Sequence, residues 1–528
     1  MRHHFMCSTS SVIRAVAVLV LLMSGFSCTA LRVDPDDPDK TEPRDLYESL
    51  RTMPEIPREF RAVWIASVAN IDWPSEPGLS AGEQKSELRA LFDKADMLNL
   101  NAIILQVRPA ADALYKSDLE PWSPYLTGEM GRPPKPAYDP LEFAVEEAHR
   151  RGLELHAWIN PFRALHPSAD SLIADNHISK RNPEFVVEYG DHLWMDPGFE
   201  EVRQYNIDIA LDILQRYDVD GIHLDDYFYP YPVTDDNGNE VEFPDSLSWA
   251  RYTAEKDSIP DRDDWRRKNV NRFVKELYNA VRETDDVARL GISPFGIWRP
   301  GNPEQVNGMD AYASIYADSR KWLNEGWLDY FTPQLYWPLD QYEQSYTALL
   351  EWWNRENRHG RHLWPGNFVS RVGLTPENLW EAPEIVRQIR ATRNRYPSDG
   401  NIHFSMQALV QQDDQLSELL AEQVYREPAL VPTTPWLQNQ QPRRPSASLE
   451  TFLGKRVVTM QARDEHNRKW VIRKKTGDNW EIHTIPGWKQ HYTLSGEEPE
   501  IIVVNAVSRS GQTSPNAVLI VNENQLEL

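Results

Sequence analysis

The chain has 528 residues, 41% of them hydrophobic and 26% charged, as expected of a globular protein long enough for a large core and more than one domain. A formal net charge of −24 excludes nucleic acid and anionic membrane surfaces as partners of the main body. The 19 Trp and 21 Tyr suit a large aromatic core or a sugar-binding surface.

Arg2 and Arg14 lead into an apolar run over 15–23 that is too short to cross a bilayer. Residues 1–27 therefore read as an export signal. Ser24-Gly25-Phe26-Ser27-Cys28 resembles a bacterial lipoprotein cleavage site, with Gly25 where Leu is preferred, and marks Cys28 for lipidation. A tether over 28–58, rich in Asp and Pro, would hold the body off the membrane, facing the periplasm or the cell surface. The only cysteines are Cys7, inside the signal, and Cys28, so the mature chain can form no internal disulfide.

From residue 59 to 427, apolar runs of strand length alternate with amphipathic helical stretches. The predicted strands are 61–67, 102–107, 153–159, 221–225, 290–293, 330–335, 362–367 and 402–406. The predicted helices are 83–98, 140–151, 200–217, 262–284, 318–325, 342–358, 384–396 and 414–425. The second has Asp139 as its N-cap, Pro140 in its first turn and Gly152 after its end. Eight such pairs predict a (β/α)8 TIM barrel, with a doubly wound open sheet as the alternative.

Pro428, Pro432, Pro435, Pro442 and Pro445 mark a linker over 428–445. Short alternating runs follow to residue 528. They predict a small β-sandwich of fibronectin type III or immunoglobulin character, with Trp470 and Trp480 in its core.

A barrel of this kind carries its active site at the carboxyl ends of its strands. There the chain places Asp72 and Trp73, then Arg108, then Trp158, Asn160 and Arg163. Strand 4 closes with Asp225 and Asp226, followed by Tyr227 and Tyr229. Later strands lead to Trp298, to Gln334, Tyr336 and Trp337, and to Asn367. Amides and guanidinium groups bind sugar hydroxyls, and indole and phenol rings stack on pyranose faces. Asp225 and Asp226 are the candidate acids: two carboxyls in one environment push their pKa values apart, so one keeps its proton while the other stays charged. Asp72, Asp112 and Asp340 are held in reserve as a distant carboxylate partner. His223 is either a core histidine or a group that orients Asp225.

His156 and His223 lie on adjacent strands, without a His-x-His pair or a clustered third ligand, so no metal site is expected. No phosphate loop or nucleophile elbow appears, and no cofactor is expected. Two other functions use the same residues. One is a non-catalytic carbohydrate-binding protein on a barrel scaffold. The other is a metal-dependent hydrolase or deacetylase, which needs Asp225, His223 and His156 to converge on one ion.

Four segments carry a resemblance: Phe60-Arg61-Ala62-Val63-Trp64-Ile65, Gln106-Val107-Arg108-Pro109, His156-Ala157-Trp158-Ile159-Asn160-Pro161 and Asp220-Gly221-Ile222-His223-Leu224-Asp225-Asp226-Tyr227-Phe228-Tyr229-Pro230. In this order they resemble the glycosyl hydrolase-like 10 family over roughly residues 59–380. The resemblance implies a secreted or lipid-anchored bacterial barrel that hydrolyses glycosidic bonds, and some similar proteins act on peptide-free peptidoglycan glycan strands. True family-10 xylanases use two Glu at the ends of strands 4 and 7. Here those ends hold Asp225-Asp226 and Gly366-Asn367, so that mechanism does not carry over.

Overall fold

The computed structural model describes residues 43–521, apart from 255, 374–379, 396–398, 411–414, 438–439 and 465–466. The expected export signal, Cys28 and the tether as far as residue 42 lie outside the described residues. The chain divides into units of residues 1–54 and 55–528. The described part of the first holds a helix, Pro43–Arg51. The second holds a curled parallel sheet wrapped by helices, and two C-terminal sheets.

Nine parallel strands form the curled sheet: β1 (Phe60–Ile65), β2 (Ala102–Arg108), β3 (Glu154–Ile159), β4 (Gly221–Leu224), β5 (Arg289–Ile292), β6 (Tyr330–Phe331), β7 (His362–Leu363), β8 (Gly366–Asn367) and β9 (Gly400–His403). Their hydrogen-bonded order is β7-β6-β5-β4-β3-β2-β1-β9-β8. β7 and β8 stand at the two ends of this order, yet only Trp364 and Pro365 separate them in the chain.

Parallel neighbours need crossovers, and helices supply them. Ala81–Met97 starts at a capping box in which Ser80 and Glu83 satisfy each other's backbone N–H. Pro140–Arg151 has Asp139 as its N-cap and ends at Gly152, whose φ of 73° a side chain would resist. Glu200–Arg216, Arg262–Thr284, Tyr346–Glu356 and Ala382–Arg395 continue the wrapping.

The strands sort their side chains by a period of two. Val63 and Ile65 of β1 pack with Leu88, Phe92 and Leu141 from the helices. Phe60, Ala62 and Trp64 pack on the other face, with Ile104, Trp158, Tyr330, Trp364 and Ile402 inside the curl.

Three strands differ from expectation. β6 stops at Phe331, because Pro333 has no N–H to give the ladder, and pairing resumes as single bridges from Gln334 to Phe295 and Gly366. Pro365 splits the seventh run into β7 and β8 in the same way. The last strand begins at Gly400, ahead of the apolar run. A Cβ there would lie 2.6 Å from Phe60 Cβ, so only glycine lets the two strands meet. The sequence also gave no signal for a small antiparallel sheet of Arg163–Leu165, His192–Met195 and Val186–Tyr189 beyond β3.

The C-terminal strands form two antiparallel sheets. One runs in the order β10 (Ser446–Phe452), β11 (Lys455–Gln461), β14 (His491–Thr493); the other runs β13 (Asn479–Pro486), β12 (Asn467–Thr476), β15 (Ile501–Ser508), β16 (Ala517–Ile520). Val458 and Met460 of the first share a core with Trp470, Ile472, Ile502 and Val504 of the second.

This module is fastened to the amino ends of the parallel strands. Arg468 pairs with Asp218 at 2.6 Å, Arg509 with Asp285 at 2.7 Å, and Arg58 donates to the Gly511 carbonyl at 2.8 Å. The proline-bearing segment 428–437 is packed as well. Leu430 exchanges backbone hydrogen bonds with Pro57 and Glu59, Thr434 accepts from Arg289, and the Trp436 indole donates to Asp329 at 2.8 Å.

Candidate active site

At the carboxyl ends of the strands lies a cleft of about 300 Å³. Asp225 and Asp226 follow β4 directly and line it. Both are almost wholly buried, at 5% and 4% exposure. Asp225 Oδ2 accepts from Asn160 Nδ2 and from the Trp158 indole at 3.3 Å. Its Oδ1 accepts from the Tyr227 N–H at 3.2 Å. The Tyr231 hydroxyl donates to Asp226 Oδ2.

Burial pushes the Asp225 carboxyl up to about 7, and the charge on Asp226 adds to the rise, while Arg163 opposes it. Burial raises Asp226 as well, but donors from Tyr231 and Gln334 hold it back. Both carboxyls are thus raised, and of the two Asp226 has the hydroxyl and amide donors that favour its charged form. Such a pair can protonate a leaving oxygen and stabilise the positive charge that follows.

Of the residues expected from sequence, Trp158, Arg163, Tyr227, Gln334 and Tyr336 also line this cleft. Arg163 is anchored to the Pro109 carbonyl at 3.0 Å, with its guanidinium 4.9 Å from the Tyr227 ring centre. Asn160 is fully buried beneath Asp225 and reaches the cleft only through it.

The structure places the other expected residues elsewhere. Trp73 is a core side chain with no exposure, and its indole donates to the Gln84 carbonyl. Arg108 is consumed by Glu120, with Nε at 2.9 Å and Nη2 at 2.5 Å, and by the Pro161 carbonyl. Tyr229 is buried against Phe243 and Tyr316. Trp298 stacks on Trp352, Trp337 packs edge-on to Phe295, and Asn367 is buried between Gln388 and Asn401.

Asp72 accepts from Ala66 N, Ser405 Oγ and Gln407 N, so it ties the loop after β1 to the one after β9; burial pushes it up to about 6. Of the reserve carboxylates, Asp112 is buried with Ser123, and Asp340 is exposed beside Arg387.

His223 lies below the cleft with no exposure. Its Nδ1 meets the Tyr330 hydroxyl at 3.0 Å, and its Nε2 meets Ser293 Oγ and the Trp64 indole at 2.9 and 3.1 Å. Burial holds its ring far below the usual imidazole range, so it is a neutral core histidine. His156 Nδ1 meets the same Tyr330 hydroxyl at 2.9 Å. Both histidines thus spend their Nδ1 on a phenol beneath the carboxylates.

Sequence reading did not select Trp64, Tyr231, His166 or Phe404, all of which line the cleft. Tyr231 was within reach of it, because it extends the aromatic run after Asp226. His166 and Phe404 lie beyond strand ends, and only tertiary packing brings them in.

The description "Glycosyl hydrolase-like 10" belongs to the family model that matches residues 59–379. "Glycosyl hydrolase YngK" of Bacillus subtilis (strain 168) is 40% identical over 402 residues, which span 75% of this chain and 77% of that protein. "Glycosyl hydrolase DigH" of Escherichia coli (strain K12) is 32% identical over 322 residues, spanning 57% and 71%. Among solved structures, the PgaB (BpsB) glycoside hydrolase domain from Bordetella bronchiseptica aligns with a TM-score of 0.47 and 14% identity, over 69% of this chain and 99% of that one. By the family match and these sequence identities, the chain belongs to the glycosyl hydrolase-like 10 family.

Proposed function

We propose that this protein is a glycoside hydrolase that cuts polysaccharide chains, with peptide-free peptidoglycan glycan strands as its substrate. The observation that carries the reading is the buried Asp225–Asp226 pair on the floor of a cleft lined by Trp158, Tyr227, Tyr231 and Tyr336. Carboxyls supply the acid for the bond, and flat rings supply faces for the sugar. Asp225, whose carboxyl is raised to about 7, is the general acid; Asp226, supplied with donors from Tyr231 and Gln334, is the charged partner. Asp225 passes its proton to the glycosidic oxygen, which leaves with the electron pair of the broken C–O bond. Water completes the hydrolysis and returns a proton to Asp225.

Within the same reading the curled sheet is a (β/α)8 barrel, supported by β7 and β8 standing two residues apart at opposite ends of the strand order. The C-terminal sheets form a fibronectin type III-like module, supported by their shared core. Cys28 carries a lipid that anchors the exported protein to the membrane, supported by the apolar run and small residues before it.

The test is mass spectrometry of products from stripped glycan strands and from a polysaccharide panel. Wild type is compared with Asp225→Asn and Asp226→Asn. Cleavage of the stripped strands, lost by about a hundredfold or more in each variant, is the expected result. Cleavage of another polysaccharide alone keeps the chemistry and changes the substrate. Glycan binding without cleavage in all three proteins would leave a binding protein instead.

A further inference from the structure

Gln106 is fully buried at the end of β2. Its Oε1 accepts from the backbone N–H groups of Ser67 and Val68, both at 2.9 Å. A backbone N–H can only donate, so it fixes which end of the amide is oxygen. The amide nitrogen must then face the other way, and it donates to Asn160 Oδ1 at 2.6 Å. Asn160 is turned in the same sense, with its Nδ2 donating to Asp225 Oδ2. The Trp158 indole, also a donor only, reaches the same oxygen at 3.3 Å. Asp225 Oδ2 thus faces two N–H groups, and a proton placed on it would be aimed at donors. Oδ1 meets one N–H, that of Tyr227, at 3.2 Å.

We propose that Gln106 is a positioning residue that acts through Asn160 to keep the acid proton of Asp225 on Oδ1 and off Oδ2. This deepens the glycosidase reading above and rests on it. The direction of the relay begins at two main-chain donors in the loop after β1 and ends at the candidate acid after β4. No side chain along it can flip without leaving a buried N–H or carbonyl facing its own kind.

The charged and titratable groups facing Asp225 are Asp226 beside it, Arg163, and the phenols of Tyr227, Tyr231 and Tyr336; His166 lines the same cleft. The substitutions below leave all of them in place.

Gln106→Glu keeps an oxygen for Ser67 and Val68 but replaces the donor by a second oxygen. Asn160 must then turn its amide to donate to the new carboxylate, and so presents its oxygen to Asp225 Oδ2. The proton of Asp225 is drawn to that side. The Asp225 carboxyl is followed by infrared titration, its band assigned by loss in Asp225→Asn, and pH–rate profiles are recorded alongside. The expected result is a titration midpoint raised by about one pH unit in Gln106→Glu and in Asn160→Ala. In Gln106→Glu, kcat on the acid plateau also falls about tenfold with KM unchanged, because the proton sits on the wrong oxygen.

A bare charge effect of the new carboxylate would move the midpoint and leave the plateau rate intact. Adding Gln106→Glu to Asn160→Ala should lower the plateau no further. An equal loss with and without Asn160 would overturn the relay, as would an unchanged midpoint in folded protein. If Gln106→Glu does not fold, Gln106→Met, which removes the amide's hydrogen bonds to Ser67, Val68 and Asn160 without adding a charge, must raise the midpoint too. If wild type cuts no glycan, the glycosidase reading fails, while the infrared midpoint still judges the relay.

Discussion

Two carboxyl groups on consecutive residues resist losing both protons when water is kept from them. In this site the burden falls on Asp225, raised to about 7, because Asp226 has the Tyr231 hydroxyl and Gln334 to support its charge. If Asp225 is the acid, hydrolysis falls as pH rises through about 7, and a pH–rate profile checks it. The same shift bears on stability. The folded pKa of Asp225 stands above the unfolded value of about 3.9, so its contribution is fully present below that value and is lost as pH rises through about 7. Asp225→Asn, which cannot ionise, should therefore gain stability relative to wild type between pH 5 and pH 8. Thermal unfolding of both proteins at the two pH values measures this, and an equal difference at both would sink it.

At the scale of elements, the site depends on how the ends of β2 and β3 are held. Arg108 pairs with Glu120 where neither side chain is exposed, and it binds the Asn160 and Pro161 carbonyls that turn the chain after β3. That turn carries Asn160 and Arg163. Arg108→Met should cost about 3–5 kcal/mol, because it leaves the Glu120 charge buried without its partner. Urea unfolding reads the loss, and adding Glu120→Gln should recover part of it. The residue type at this strand end was legible in the sequence, but its use was not. An Arg that ends a strand fits a sugar hydroxyl or a buried carboxylate equally well, and the choice depends on where the loop returns Glu120. Trp73 and Tyr229 misled for the same reason: each follows a strand end, but the chain turns it into the core.

At the scale of the whole molecule, the C-terminal sheets are built onto the base of the parallel sheet, away from the carboxylates. Arg509 pairs with Asp285 and donates to the Val219 carbonyl at 2.6 Å, and Arg468 pairs with Asp218. Asp220, just before β4, is held well below the usual carboxylate range by His149, Arg468 and Arg509. A space of about 430 Å³ lies at this junction, larger than the cleft at the other end, and Asp218, Asp285, Arg468 and Arg509 of its lining are spent on these pairs. Residues 55–528 should therefore unfold as one cooperative unit, seen as a single calorimetric transition; two well-separated transitions would contradict this. Arg509→Ala should lower that transition temperature and leave KM for glycan unchanged, because it loosens the base and not the cleft.

Read alone, the sequence determined the alternation of strand and helix, the helix caps at Asp139 and Gly152, and the adjacency of Asp225 and Asp226. These follow from local periods, backbone preferences and neighbouring residues, so no tertiary information is needed to see them. It also placed Trp158, Arg163, Tyr227, Gln334 and Tyr336 near strand ends, where a curled parallel sheet gathers its loops. Tertiary structure alone decided which polar side chains face the cleft and which are spent on one another. Arg108 met Glu120, Asn367 met Gln388 and Asn401, and His223 met Tyr330 and Ser293. A side chain's hydrogen-bonding capacity is written in its type, but its partner is set by residues tens to hundreds of positions away, brought close only when the sheet curls.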